Sequence, residues 1–112
     1  MHAILRSTLF VLVFSSGSVL AQTPPSVDLH KSPTCDCCAK WANHMSKSGF
    51  KVNVHVVDDV PGARKKLGMP NELGSCHTAK IGNYIVEGHV PAADIQRLLN
   101  EKPEALGLAV PA

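Results

Sequence analysis

Apolar residues recur along the chain at two different spacings, and each spacing predicts one kind of secondary structure. Lys51–Val57 carries valine at alternate positions, which is the period of a half-buried β-strand. Cys37–Ser48 instead has helical spacing, with Trp41 and Met45 on one face. Gly49 then supplies a signal for the end of the helix. This part of the chain is therefore predicted to be a helix, a turn and a strand.

Five further elements are predicted from turn signals and apolar spacing. They are a strand at Val27–His30, a helix from Pro61 to Gly68, strands at Thr78–Ile81 and Tyr84–Glu87, and a last helix that starts at Pro91. The dipeptide Gly82-Asn83 separates two of these strands by a spacing typical of a β-hairpin. We expect the tail after Pro103 to be irregular.

These elements follow one another in the order βαβαββα. The first two strands would be joined by a right-handed helical crossover, and the last two by a tight hairpin. This is the minimal thioredoxin-like arrangement. We therefore predict an α/β fold of this kind, with a mixed four-stranded sheet flanked by helices.

The first residues of the chain have the features of a secretory signal peptide. Met1–Arg6 is short and basic, Ser7–Phe14 is apolar, and Val19–Ala21 offers small residues for cleavage. A membrane-spanning helix needs an apolar run of roughly 18 to 20 residues, and the polar segment Ser15–Ser18 interrupts this one earlier. Residues 1–21 are therefore predicted to be removed on export.

What remains, residues 22–112, is long enough for one domain but too short for two. Loss of Arg6 leaves ten of the 11 basic residues against nine acidic residues, so the domain is nearly neutral. Its charges are scattered, and we interpret the basic triplet Arg64-Lys65-Lys66 as a solvated helix face. These features argue against nucleic-acid binding. With no further long apolar run, we expect a soluble periplasmic domain without membrane insertion.

Three of the four cysteines lie between the first strand and the first helix, where backbone N–H groups and the helix dipole stabilise a thiolate. The spacing Cys35-x-x-Cys38 suits both disulfide exchange and metal chelation. Cys37 would invite wrong pairing in disulfide exchange, whereas a soft ion such as Cu(I) gains from every added thiolate. The three thiols together favour a metal.

The fourth cysteine, Cys76, and the adjacent His77 precede the hairpin, where thioredoxins and glutaredoxins carry a cis-proline against their dithiol. No proline occurs in residues 71–84 of this chain. We therefore expect the sulfur of Cys76 to approach the other thiols, with His77 bordering the same site. The predicted metal ligands are Cys35, Cys37, Cys38 and Cys76, with His77 and His89 assisting. Such a set suits one tetrahedral ion or a polynuclear copper–thiolate cluster.

Several alternatives remain open at this point. Four cysteines in a small exported chain often form two structural disulfides, although the neighbours Cys37 and Cys38 can hardly bond to each other. Structural zinc ranks lower, because a second Cys-x-x-Cys or histidine pair is missing. A thiol-disulfide oxidoreductase would use Cys35 as nucleophile and Cys38 as resolving thiol. His44 lies about 10 Å along the helix from Cys37, too far for the same ion, and Met45 is assigned to the core.

Four segments resemble the CopG-like periplasmic copper-resistance proteins. They are Lys31–Cys38, Ser75–Ala79, Glu87–Ala92 and Gly107–Pro111. The resemblance itself covers nearly all of the predicted domain. The pairing of Cys-x-Cys-Cys with Ser-Cys-His-Thr is specific. The resemblance implies a thioredoxin-like fold, copper binding by the four cysteines, and a role in copper tolerance that includes interconversion of Cu(I) and Cu(II).

Two positions differ from the family pattern. Asp36 stands where the family often has glycine, which adds a charge beside the thiols. The sequence ends at Pro111-Ala112, so we expect no ligand from a methionine-bearing tail. The overall hypothesis is a periplasmic protein that buffers, delivers or redox-cycles copper and meets other copper-handling envelope proteins. Its alternative is the thiol-disulfide oxidoreductase, and the sequence leaves open whether the chain is an enzyme.

Overall fold

The computed structural model describes residues 13, 15–18 and 23–111. Most of the predicted signal peptide, residues 1–21, therefore lies outside the described residues. The strands are β1 (Ser26–Lys31), β2 (Lys51–Val56), β3 (His77–Ile81), β4 (Tyr84–Glu87) and β5 (Gly107–Ala109). The α-helices are α1 (Asp36–Lys47), α2 (Val60–Leu67) and α3 (Ala92–Glu101), and a short 3-10 helix covers Asn71–Leu73.

The strands form one mixed sheet in the order β2-β1-β3-β4-β5. β1 pairs in parallel with β2 and β4 with β5, while β3 is antiparallel to both of its neighbours. The predicted thioredoxin-like α/β class is confirmed, and every predicted helix and strand is present to within a residue or two at its ends. The sheet nevertheless has five strands, not four.

The additional strand β5 corrects the expectation of an irregular tail. Gly107 pairs with Ile85 of β4 so closely that a Cβ at position 107 would collide with the Ile85 main chain. Only glycine allows this approach. Leu108 packs against the core, which anchors the short strand. A strand of three residues shows no detectable period, so the apolar spacing could not predict it.

The core lies between the sheet and helices α1 and α3. The predicted apolar face of α1 is confirmed, since Cys38, Trp41 and Met45 are buried. Trp41 and Met45 belong to a buried cluster that also contains Leu29 of β1 and Ile95 of α3. The indole Nε1 of Trp41 donates a hydrogen bond to a main-chain carbonyl 2.9 Å away, in the segment that precedes α3. The core thus fixes α1, whose first turn carries the cysteines.

β2 is less buried than the valine alternation predicted. Val52 packs against the core, but Val54 and Val56 are 50% and 59% exposed. β2 is one of the two edge strands of the sheet, and its second half extends beyond the core cluster. An alternating pattern shows which residues share a face, but it does not show how far that face is covered.

The opposite face of the sheet is covered by α2. Successive side chains of a strand point to opposite faces, so Val86 of β4 enters the core while Glu87 points away from it. There Glu87 accepts a hydrogen bond from Arg64 of α2. Across residues 13, 15–18 and 23–111, no helix has the length and apolar composition needed to cross a membrane.

Candidate metal centre

The cysteine cluster is built on the first turn of α1. Cys35 is the N-cap residue, with the extended conformation typical of a cap, and its Sγ accepts a hydrogen bond from the N–H of Cys38 at 3.2 Å. A free N–H at a helix start stabilises negative charge on a thiolate. The position of the Cys-x-Cys-Cys motif at the N-terminus of the helix is therefore as expected from the sequence.

Cys35 and Cys38 are joined by a disulfide, with their Cα atoms 5.3 Å apart. The Sγ atom of Cys37 lies 3.5 Å from that of Cys35. Cys38 is fully buried, whereas Cys35 and Cys37 are partly exposed. All three sulfur atoms lie within 4.8 Å of one another, which makes this group the candidate metal site in the described part of the chain.

The sheet register brings Cys76 to this cluster. Lys31, the last residue of β1, pairs with His77, the first residue of β3. The loop that leaves β1 and the residue that enters β3 are therefore neighbours. The carbonyl oxygen of Cys76 lies 3.7 Å from the Sγ of Cys38.

The sulfur of Cys76 is placed differently from its main chain. Cys76 is exposed and unpaired, and its Sγ does not belong to the group of three sulfurs within 4.8 Å. The structure has Cys35 and Cys38 in their disulfide form, with Cys76 outside the disulfide. The role of Cys76 as a fourth ligand therefore stays a prediction, with its main chain already at the cluster.

His77 is completely buried between two aromatic rings. Its ring centroid lies 4.7 Å from that of Trp41 and 5.3 Å from that of His89. Within residues 23–111, neither ring nitrogen has a hydrogen-bond partner. Burial, and next the charge of His89, lower the pKa of His77 from 6.5 to about 4. The ring is therefore neutral at pH 7, the form in which imidazole binds a metal.

His44 has a structural role that the sequence did not reveal. Its Nε2 accepts a hydrogen bond from the N–H of Ala92 at 3.1 Å. Ala92 is the first residue of α3, whose N-cap residue Pro91 makes no side-chain cap. His44 thus satisfies a free N–H of another helix. This depends on a tertiary contact, so helical spacing alone could not predict it.

A buried ion pair joins Arg64 and Glu87, and the sequence pattern did not predict it. Arg64 was expected on a solvated helix face with the two lysines that follow it, but it is buried, while both lysines are exposed. Val60, one helical turn earlier, is buried on the same face. The spacing of four residues between Val60 and Arg64 could have indicated that Arg64 faces inward. The basic triplet instead suggested that Arg64 and both lysines share a solvated face.

Comparisons with known proteins give two matches of different kinds. The family described as "Protein of unknown function, DUF411" matches residues 73–112. Two solved structures, described as "Copper resistance protein copG" in forms 2 and 1, are each 45% identical to this chain. Each match covers 79% of this chain and 70% of the solved chain, with TM-scores of 0.74 and 0.73. A search of curated proteins gave no match.

Proposed function

Because the chain belongs to the CopG family of copper resistance proteins, we propose that it binds copper in the periplasm and contributes to copper tolerance. The observation that carries this proposal is the close approach of the sulfur atoms of Cys35, Cys37 and Cys38. Thiolates at this density suit a soft ion, and Cu(I) is the softest of the common biological metals. The reduced protein is the form that would bind copper, since the disulfide withholds two of the sulfurs.

The proposed ligands extend beyond these three sulfurs. Cys76 is unpaired, and its carbonyl oxygen lies 3.7 Å from the Sγ of Cys38, so rotation of its side chain is the proposed route by which its sulfur joins the cluster. His77 offers a neutral ring with two unpartnered nitrogens, and His89 lies beside it. Neighbouring thiolates can also share ions by bridging them. We therefore expect more than one Cu(I) per chain, held by the four cysteines with the two histidines assisting.

The Cys35–Cys38 disulfide supports a redox step within the same proposal. Two Cu(II) ions would each take one electron from the dithiol, which would lose two protons and form its S–S bond. The products are two Cu(I) ions and the disulfide. A dithiol reductant of the envelope would reverse the change in the protein. In this direction the chain would reduce Cu(II) to Cu(I), using its own cysteines as the electron source. Oxidation of Cu(I) would be the reverse reaction, in which two Cu(I) ions each give one electron to the disulfide and the two sulfurs take up two protons.

A thiol-disulfide oxidoreductase is the second candidate function, and the observed disulfide favours it. Cys35 is partly exposed and Cys38 is fully buried, as expected for an attacking and a resolving thiol. Reduction of insulin disulfides separates the two functions. Turnover at the rate of a thioredoxin would favour the oxidoreductase, and slow turnover together with tight Cu(I) binding would favour the copper protein.

We also propose the cellular setting. Residues 1–21 would direct export, and the oxidising periplasm is a compartment in which the disulfide persists. Other copper-handling proteins of the envelope are the proposed partners. Secretion of a reporter fused to residues 1–21 tests the signal peptide, and cytoplasmic retention of the reporter would contradict it.

Anaerobic titration of the reduced domain, residues 22–112, with Cu(I) tests the copper proposal. We expect more than one Cu(I) per chain, weak competition by Zn(II), and fewer bound ions for Cys37→Ser. His77→Gln should weaken binding, whereas His44→Gln is a matched control, because His44 binds the main chain of α3. Competition by Zn(II) as effective as Cu(I) would contradict the proposal.

A further inference from the structure

A buried ion pair lies on the face of the sheet opposite the core. Arg64 of α2 donates from Nε to Oε1 of Glu87 in β4, and the two side chains are 6% and 0% exposed. Burying two charges carries a desolvation cost, so well-packed apolar residues often stabilise a fold as well as such a pair does. The presence of this pair is therefore weak evidence for a role in stability, and its other contacts indicate what it holds in place.

Both members of the pair hold the same residue, Ser75. Arg64 Nη2 donates to the carbonyl oxygen of Ser75 at 2.6 Å, and Glu87 Oε1 accepts from the N–H of Ser75 at 2.9 Å. Arg64 Nη1 also reaches the side-chain oxygen of Asn71 at 3.5 Å. The planar fork of arginine can make these contacts together, whereas a lysine ammonium cannot reproduce them. The segment from Asn71 to Ser75 is thereby fixed to both α2 and β4.

Close packing around this segment adds to the restraint. A Cβ at Gly74 would lie 2.8 Å from the guanidinium of Arg64 and 2.9 Å from the carbonyl oxygen of Asn71. The next residue after Ser75 is Cys76, whose carbonyl oxygen lies 3.7 Å from the Sγ of Cys38. The ion pair thus acts one residue away from Cys76, whose main-chain carbonyl lies beside the cluster.

We propose that the Arg64–Glu87 pair is a positioning device for Cys76. By holding both main-chain polar groups of Ser75, it sets the place from which the Cys76 thiolate reaches the sulfurs of the α1 cluster. The inference rests on the proposed function, because it treats Cys76 as a ligand of the same copper site. Arg64 and Glu87 are positioning residues, since their hydrogen bonds go to each other, to the main chain of Ser75 and to Asn71, not to a cysteine side chain.

The test measures Cu(I) affinity of the reduced domain by competition with a chromophoric Cu(I) chelator. Glu87→Gln keeps the size of the side chain and removes its charge, and Arg64→Lys keeps the charge and removes the fork. Each should weaken Cu(I) binding about 10- to 100-fold, the range found when a residue supporting a metal ligand is replaced. Glu101→Gln is the matched control, because it breaks an exposed ion pair with Arg97 on α3 and should leave binding unchanged.

The same substitutions in a Cys76→Ser background separate positioning from general damage. If the pair acts through Cys76, Glu87→Gln should cause no further loss once Cys76 is gone. An equal loss in both backgrounds would overturn the inference. Cys76→Ser with unchanged copper binding would instead remove Cys76 from the proposed site and take the inference with it. A loss for Cys76→Ser without a loss for Glu87→Gln would overturn the inference alone.

A double variant tests the same inference if a single substitution at Arg64 or Glu87 prevents folding. The double variant Arg64→Met with Glu87→Leu removes both charges at once, which leaves no unpaired charge in the interior. We expect it to fold, as judged by circular dichroism, and to show the same loss that depends on Cys76. A folded double variant that binds Cu(I) like the wild type would overturn the inference.

Discussion

Burial of His77 should make the metal-free domain less stable in mild acid. The folded-state pKa is about 4, against 6.5 for a free histidine. Between these values the unfolded chain takes up a proton that the folded chain does not, so unfolding becomes more favourable as the pH falls. At about 1.4 kcal/mol per pKa unit, the full loss is roughly 3 kcal/mol, most of it between pH 6.5 and 4.5.

The matched variant is His77→Phe, which keeps an aromatic ring against Trp41 and removes the titrating group. Urea unfolding is followed by circular dichroism at pH 7 and pH 4.5, with the disulfide intact and a chelator present. The free energy of unfolding of the wild type should fall by about 2.5 kcal/mol more than that of the variant. His30, whose pKa is also lowered by burial, contributes in the same direction to both proteins.

Carboxylates titrate in both proteins, so their contribution to the pH dependence cancels when the unfolding free energies of wild type and His77→Phe are compared. If the difference in unfolding free energy between wild type and His77→Phe is the same at both pH values, the His77 ring is not held neutral by its surroundings. The statement that burial keeps the His77 ring in its neutral, metal-binding form would then be wrong as well.

Two further substitutions test the description of the fold. Trp41→Phe should destabilise the domain by about 1–3 kcal/mol in urea unfolding, because it leaves the buried carbonyl of Val90 without its donor and creates a small cavity. An unchanged urea midpoint would contradict this description of the core. Lys102 ends α3 in the left-handed conformation, with φ of 48°. Because glycine adopts this conformation without strain, Lys102→Gly should raise the free energy of unfolding by about 0.5–1 kcal/mol. A lower free energy of unfolding would show that the side chain of Lys102 has an unrecognised role.

Much of the fold could be predicted because its elements carry local signals. The helical face of Trp41 and Met45 and the two-residue spacer of the hairpin are visible without tertiary information. β5 carries no comparable signal: it exists because Gly107 fits against the main chain of Ile85, a contact between residues distant along the chain.

The candidate site divides in the same way. The cluster of Cys35, Cys37 and Cys38 follows from their spacing at the start of a helix, and the structure brings their sulfurs together. The contact between Arg64 and Glu87 joins α2 to β4 on the face of the sheet opposite the core. Local spacing could therefore indicate at most that Arg64 faces inward. Pairwise contacts of this kind depend on the packing of the whole domain.

The parallel pairing of β4 and β5 also bears on how this protein should be purified. β5 runs in the same direction as β4, and the N–H of Val110 binds the carbonyl of Glu87, two residues before His89. A polyhistidine tag attached after β5 would start beside the proposed copper site. The imidazoles of the tag could then bind copper there. β1 runs toward the cysteines, so a tag placed ahead of Ser26 begins at the far end of the sheet. Copper stoichiometry is therefore best measured on protein purified through a cleavable tag at that end.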